Sequence, residues 1–123
     1  MSESVETTHG LVRGAREGGI LAFRGIRYAA SVAGEGRWRA PRAPEPWAGV
    51  RDALRPGPAA PQLAGPTLEM LGLVPRETAE DCLFLNLWTP GPGGASRPVL
   101  VWIHGGGFTS GTGALSVFDG ALL

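Results

Sequence analysis

Residues Val99 to Gly111 read VLVWIHGGGFTSG, an apolar run that breaks into a histidine and three consecutive glycines. Glycine loses more conformational freedom on folding than any other residue, so a triplet beside a buried stretch points to a backbone that something must approach closely. Two chemistries use such a backbone. A phosphate cradle built on G-x-x-x-x-G-K-[ST] needs a lysine, and this chain contains none. The dinucleotide fingerprint G-x-G-x-x-G fails as well, because Ser110 holds the sixth place counted from Gly105 and Ser116 holds it counted from Gly111. The other chemistry is acyl transfer, in which a carbonyl oxygen gains negative charge. Fixed backbone N–H groups stabilise that oxygen in a dry site, at about 10² to 10³ in rate per donor.

Acyl transfer through a serine needs a nucleophile in G-x-S-x-G, then an acid and a histidine. Neither Ser31, Ser96, Ser110 nor Ser116 has glycine at both flanking positions of that pattern, and Ser2 and Ser4 stand at the start of the chain. The glycines are therefore read as an oxyanion loop whose nucleophile is not in this sequence. Cys82 is the only cysteine, so an intramolecular disulfide and a multi-cysteine metal site are excluded. No metal and no cofactor is expected. Eleven arginines balance eleven acidic residues, so nothing in the charge favours nucleic acid or an anionic membrane as partner. The first ten residues, MSESVETTHG, carry neither a basic nor an apolar region of a secretory signal. With no apolar run near the roughly 20 residues that cross a bilayer, a cytoplasmic setting is expected.

The elements that must position the glycines follow from patterning. Val5 to Arg13 lacks breakers, Glu17-Gly18-Gly19 has turn chemistry, and Ile20 to Tyr28 alternates loosely, which predicts a β-hairpin. Ala29 to Pro66 holds seven of the eleven prolines and is expected to be extended and irregular, pinned by Trp38 and Trp47. Pro66 to Val74 can form one short helix with Leu68, Met70 and Leu71 as its apolar side. Leu83 to Pro90 reads as a strand with Leu83, Leu85 and Leu87 on one face and Phe84, Asn86 and Trp88 on the other. Gly91 to Ser96 is a turn, and Pro98 to His104 is a continuous apolar strand of the kind covered on both faces in an α/β sheet. Val117 to Leu123 can open a helix.

The sequence resembles the N-terminal part of type-B carboxylesterases, the family that includes bacterial esterases, cholinesterases and the non-catalytic neuroligins. The resemblance is carried by EDCLFLNLWTP at Glu80 to Pro90 and WIHGGGFTSG at Trp102 to Gly111. It extends to FRGIRYA at Phe23 to Ala29, GEGRWRAP at Gly34 to Pro41, PWAGVRDA at Pro46 to Ala53, and FDGALL at the end. It implies an α/β-hydrolase fold of which residues 1–123 are the N-terminal portion, ending just after the oxyanion loop. It also implies that Gly106 and Gly107 offer their N–H groups to the oxyanion, that Gly105 shapes the turn, and that His104 is a structural neighbour of the loop. His9 is read as a solvated strand residue. The substrate implied is a small uncharged carboxylic ester, bound together with sequence absent here. The alternatives are a non-catalytic protein-binding domain and an inactive truncated product. The resemblance further implies a buried salt bridge between Arg37 and Glu80.

Two departures from the family pattern matter. Many relatives join the cysteine at the place of Cys82 to one in a GPxCPQ-like stretch. Here that stretch is GPAAPQ, Gly57 to Gln62, with Ala60 in the partner's place. Cys82 is thus expected to be an unpaired, small buried hydrophobe in a reducing compartment. Residues 61–81 contain no Trp, Tyr or Phe, so no cation-π choline site is expected from that segment. Without its further strands the sheet would bare an apolar face, and the 123-residue chain is expected to be marginally stable.

Overall fold

The computed structural model describes residues 2–63, 65–93 and 96–122. Three strands open the chain, β1 (Ser2–Thr7), β2 (Gly10–Glu17) and β3 (Ile20–Arg27), and they form an antiparallel meander. The stretch from Val5 to Arg13 is two strands and not one. Thr8 and His9 form a tight turn, held by the Thr7 hydroxyl donating to the Gly10 carbonyl at 2.7 Å. The second turn is Gly18-Gly19, with φ of 55° and 91°, the double positive φ that a two-residue hairpin loop requires.

β2 and β3 pair only beside their turn and then diverge. Into the gap comes β4 (Val50–Asp52), which runs parallel to β2 with Leu11 opposite Val50 and Arg13 opposite Asp52. Its continuation is bonded on both sides: the Ala53 amide donates to the Arg13 carbonyl at 2.8 Å, and the Arg24 amide donates to the Ala53 carbonyl at 2.6 Å. β5 (Phe84–Thr89) covers the other edge of β3, antiparallel, which completes a mixed five-stranded sheet. The core lies where these elements meet. Val12, Leu21, Phe23 and Ala53 are buried there, with Val5, Ile26 and Trp47 packed against them. Gly14 is glycine for a local reason: a Cβ would stand 2.6 Å from the Ala22 carbonyl oxygen and 2.8 Å from the Phe23 ring.

A bulge interrupts β3 at Gly25, between Arg24 and Ile26. Gly25 has φ of 80°, and its amide, left without a ladder partner, donates to Asn86 Oδ1 at 3.0 Å. Arg24 forks onto Glu17 at 2.8 Å, reaches Asp119 at 3.2 Å and lies over the Trp88 ring, tying the segment near the end of the chain to the second hairpin.

The proline-rich segment is irregular as expected, apart from a 3₁₀ turn at Gly34–Gly36 and β4. Trp47 is an anchor: its Nε1 donates to the Leu11 carbonyl, His9 stacks on it and the Arg51 guanidinium lies 4.4 Å from its ring. His9 is accordingly a turn residue under an indole, not a solvated strand residue. Among the described residues Trp38 is not an anchor, being fully exposed with φ of 60°. The helix α1 spans Pro66–Met70; of its expected apolar side Leu68 is half-buried, while Met70 and Leu71 are exposed. β5 alternates as read, but it is Phe84, Asn86 and Trp88 that turn inward, while Leu85 and Leu87 are exposed. The Gly91–Ser96 turn lies partly outside the described residues, at Gly94 and Ala95. Ser116–Phe118 and Gly120–Leu122 are 3₁₀ turns where a helix was expected; Leu123 lies outside the described residues.

The segment Pro98 to His104 is not a strand. It has no ladder partner among the described residues, and Val99, Leu100, Val101, Trp102 and Ile103 are 65% to 85% exposed. A strand exists only through its neighbours' hydrogen bonds, whereas an apolar run expresses only the preference to be covered.

Candidate active site

The glycine loop follows this exposed segment. Gly106 has φ of 129°, Gly107 of 60° and Phe108 of 63°, so the backbone turns left-handed for three residues. Gly105 has open space around it and no positive φ, so the conformational demand falls on Gly106 and Gly107. A Cβ at Gly106 would stand 1.8 Å from the Ser110 carbonyl oxygen. At Gly111, with φ of 103°, a Cβ would meet the Gly105 carbonyl oxygen at 2.4 Å and His104 Nδ1 at 2.7 Å. The loop is cinched, its exit lying against its entrance.

Inside this turn the Gly106 carbonyl accepts from the amides of Thr109 and Ser110, both at 3.1 Å, and from their hydroxyls at 3.1 and 3.4 Å. The Gly105 carbonyl oxygen lies 2.7 Å from His104 Nδ1 and accepts from it when that nitrogen carries the proton. In a planar trans peptide the N–H points opposite to the C=O. Holding the Gly106 carbonyl within the loop therefore turns the Gly107 amide outward, and holding the Gly105 carbonyl does the same for the Gly106 amide. Among the described residues no group accepts from either amide. His104 is exposed and serves the loop's backbone, as expected of a structural neighbour.

Two carboxamides hold the loop's exit. Gln62 Nε2 donates to the Gly111 carbonyl at 2.9 Å while its Oε1 accepts from the Gly111 amide at 2.8 Å. Asn86 Nδ2 donates to the Gly113 carbonyl at 3.2 Å from the strand whose bulge it also satisfies. Neither residue stood out from the sequence as part of the site. The available signal was a polar residue on the inward face of an apolar strand, for Asn86, and an amide at the end of a proline-rich motif, for Gln62. Beside Thr112 to Asp119 lies a cavity of about 410 Å³, bordered also by Arg24, Asn86 and Trp88; Gly105, Gly106 and Gly107 do not line it.

Glu80 and Asp81 fasten the proline-rich segment to the sheet. Arg37 Nε lies 2.5 Å from Glu80, the expected pairing, but the bridge is exposed, with side chains 59% and 38% accessible, and not buried. The bulk that would cover it is lacking around the 3₁₀ turn, where every residue from Ala33 to Glu35 is exposed. Asp81 takes both guanidinium nitrogens of Arg27, at 2.6 and 2.5 Å. The Arg27 hydrogen bonds hold the Asp81 carboxyl below the usual range, and Arg37 does the same for Glu80. Cys82 is half-buried; burial and then the Asp81 charge push its thiol up, away from the reactive thiolate. Among the described residues no cluster of three or more His, Cys, Asp or Glu is placed to hold a metal ion, and no helix is long and apolar enough to cross a membrane.

The model of the carboxylesterase family matches residues 1–123. The chain belongs to the carboxylesterase family. The phenmedipham hydrolase of Pseudarthrobacter oxydans is 51% identical over 113 residues, covering 89% of this chain and 22% of the relative. The para-nitrobenzyl esterase of Bacillus subtilis is 39% identical over 123 residues, covering 97% of this chain and 24% of the relative. The crystal structure of the Geobacillus stearothermophilus carboxylesterase EST55 at pH 6.2 superposes with a TM-score of 0.84 at 39% identity, over 96% of this chain and 22% of that one. The sheet described above is thus part of an α/β-hydrolase fold, and this carboxylesterase chain spans less than a quarter of the length of these relatives.

Proposed function

We propose that the chain is the N-terminal portion of a serine carboxylesterase and supplies its oxyanion hole from the amides of Gly106 and Gly107. The observation that carries this reading is the orientation of the two peptide planes. Their carbonyls are engaged within the loop, so their N–H groups are left to an acceptor from outside. When an ester carbonyl is attacked, its oxygen becomes that acceptor, and donors already fixed in place need no reorganisation as the charge develops. The nucleophile, acid and base come from sequence beyond these residues, so the 123-residue chain alone is inactive. A small uncharged ester is the substrate class. A protein-binding module would have no use for two outward amides on a loop cleared of side chains.

The test joins residues 1–123 to the remainder of the Bacillus subtilis relative, in place of the segment they match. Hydrolysis of p-nitrophenyl acetate by this chimera, and none by residues 1–123 alone, is the expected result. A folded chimera that binds the ester but does not turn it over would overturn the proposal.

A further inference from the structure

We infer that Gln62 is a positioning residue for the oxyanion loop, acting through a two-point clamp on Gly111; the inference rests on the esterase reading above. Its carboxamide engages both polar groups of one residue, donating to the Gly111 carbonyl at 2.9 Å and accepting from the Gly111 amide at 2.8 Å. Carboxamides can do this because donor and acceptor stand on separate atoms side by side in one plane, whereas an ionised carboxylate has no donor. The clamp reaches across 49 positions of sequence, from the proline-rich segment to the end of the glycine loop.

The clamp bears on the amides by a short path. Gly111 rests against the Gly105 carbonyl and the His104 ring, so fixing Gly111 fixes the entrance of the loop as well as its exit. Between these ends the Ser110 carbonyl lies against Gly106, and the Gly106 carbonyl is bonded to Thr109 and Ser110. A shift of Gly111 therefore rotates the peptide planes that carry the Gly106 and Gly107 amides. Gln62 is itself held. Its Nε2 also donates to the Ala60 carbonyl at 3.1 Å, and buried Ala59 is bonded on both sides to the 77–79 segment, at 3.0 Å from its amide and 2.9 Å to its carbonyl. The loop thus takes its position from a bridge between the 59–62 and 77–79 segments.

The test uses the chimera, with Gln62→Leu, which keeps bulk without polar groups, and Gln62→Glu, which keeps the acceptor and loses the donor. The expected result is kcat on p-nitrophenyl acetate lowered about 10- to 100-fold in Gln62→Leu, as misplacing an oxyanion donor does, with KM within about twofold. Affinity for a trifluoromethyl ketone, which forms an oxyanion when bound, falls in parallel with kcat/KM, while affinity for an unreactive ketone of the same shape does not. A loss shared by both ketones is the mark of general unfolding and overturns the inference, as does unchanged kcat. Gln62→Glu is expected to recover relative to Gln62 as pH falls and its carboxyl gains a proton to donate; a flat ratio counts against the clamp. The contact is also read apart from catalysis, by hydrogen exchange at the Gly111 amide in the folded chimera. Exchange at least about tenfold faster in Gln62→Leu is expected, and equal exchange overturns the clamp whatever kcat does.

Discussion

A methyl group on Gly106 has nowhere to go. Its Cβ would fall within the Ser110 carbonyl, and φ of 129° is hostile to any side chain, so Gly106→Ala must rebuild the turn that aims both amides. In the chimera this substitution is expected to lower kcat by about 10² or more, the weight of one oxyanion donor. Gly113→Ala, which meets open space at an ordinary φ, is expected to stay within about threefold; steady-state kinetics on the pair checks both. The Arg27–Asp81 fork makes a second prediction. Asp81's carboxyl is held below its unfolded value, so the unfolded chain binds more protons in that window and stability rises with pH there. Its contribution is fully present above about pH 5, and is lost as pH falls through the unfolded value near 3.9 and on through the folded one. Urea midpoints between pH 6 and 3 are expected to fall less steeply in Arg27→Met than in the unaltered chain. At this scale the triplet was legible as a turn that needs glycine, and positive φ falls on Gly106 and Gly107. The sequence did not announce Gln62, because a carboxamide's value lies in a backbone it meets 49 positions away.

Strands and turns carry their own signals unevenly. Gly18-Gly19 was readable as a turn because two positive φ values in succession have a recognised composition, while Thr8-His9 was not, because its turn is secured by the Thr7 hydroxyl and the Trp47 indole. β4 was hidden for a related reason: three exposed residues have no periodicity, and only the divergence of β2 from β3 makes room for them. The glycines of these elements also differ in what they demand. At Gly18, with no neighbour within 4 Å, Asn adopts the left-handed conformation, and Gly18→Asn is expected to change stability by less than about 0.5 kcal/mol. At the bulge, a Cβ on Gly25 would stand 2.4 Å from the Arg55 carbonyl oxygen, and Gly25→Ala is expected to cost about 2–4 kcal/mol by urea denaturation.

At the scale of residues 1–123 taken together, the apolar segment from Val99 to Ile103 is expected to govern behaviour in solution. Together with Leu85 and Leu87 it leaves a large apolar surface uncovered, and such surfaces associate. Residues 1–123 are expected to sediment as a concentration-dependent mixture, and Val101→Lys with Ile103→Lys is expected to shift the distribution toward monomer. A sharp single-species profile for the unaltered chain would contradict this. The α/β-hydrolase family was legible in the motifs, yet the strand at 98–104 was not formed, since a continuous apolar run states a need for neighbours and cannot supply them.

The pairing of β5 with β3 has a consequence for the order of assembly during translation. The opening meander can close as soon as Arg27 is free of the ribosome, because its contacts are local and its turns are two residues long. The far edge of β3 must then wait until Phe84–Thr89 emerges, across a proline-rich interval whose strand β4 pairs with β2 instead. A nascent chain arrested between Ala53 and Phe84 therefore displays an unsatisfied central strand, and that intermediate is where a chaperone would engage it.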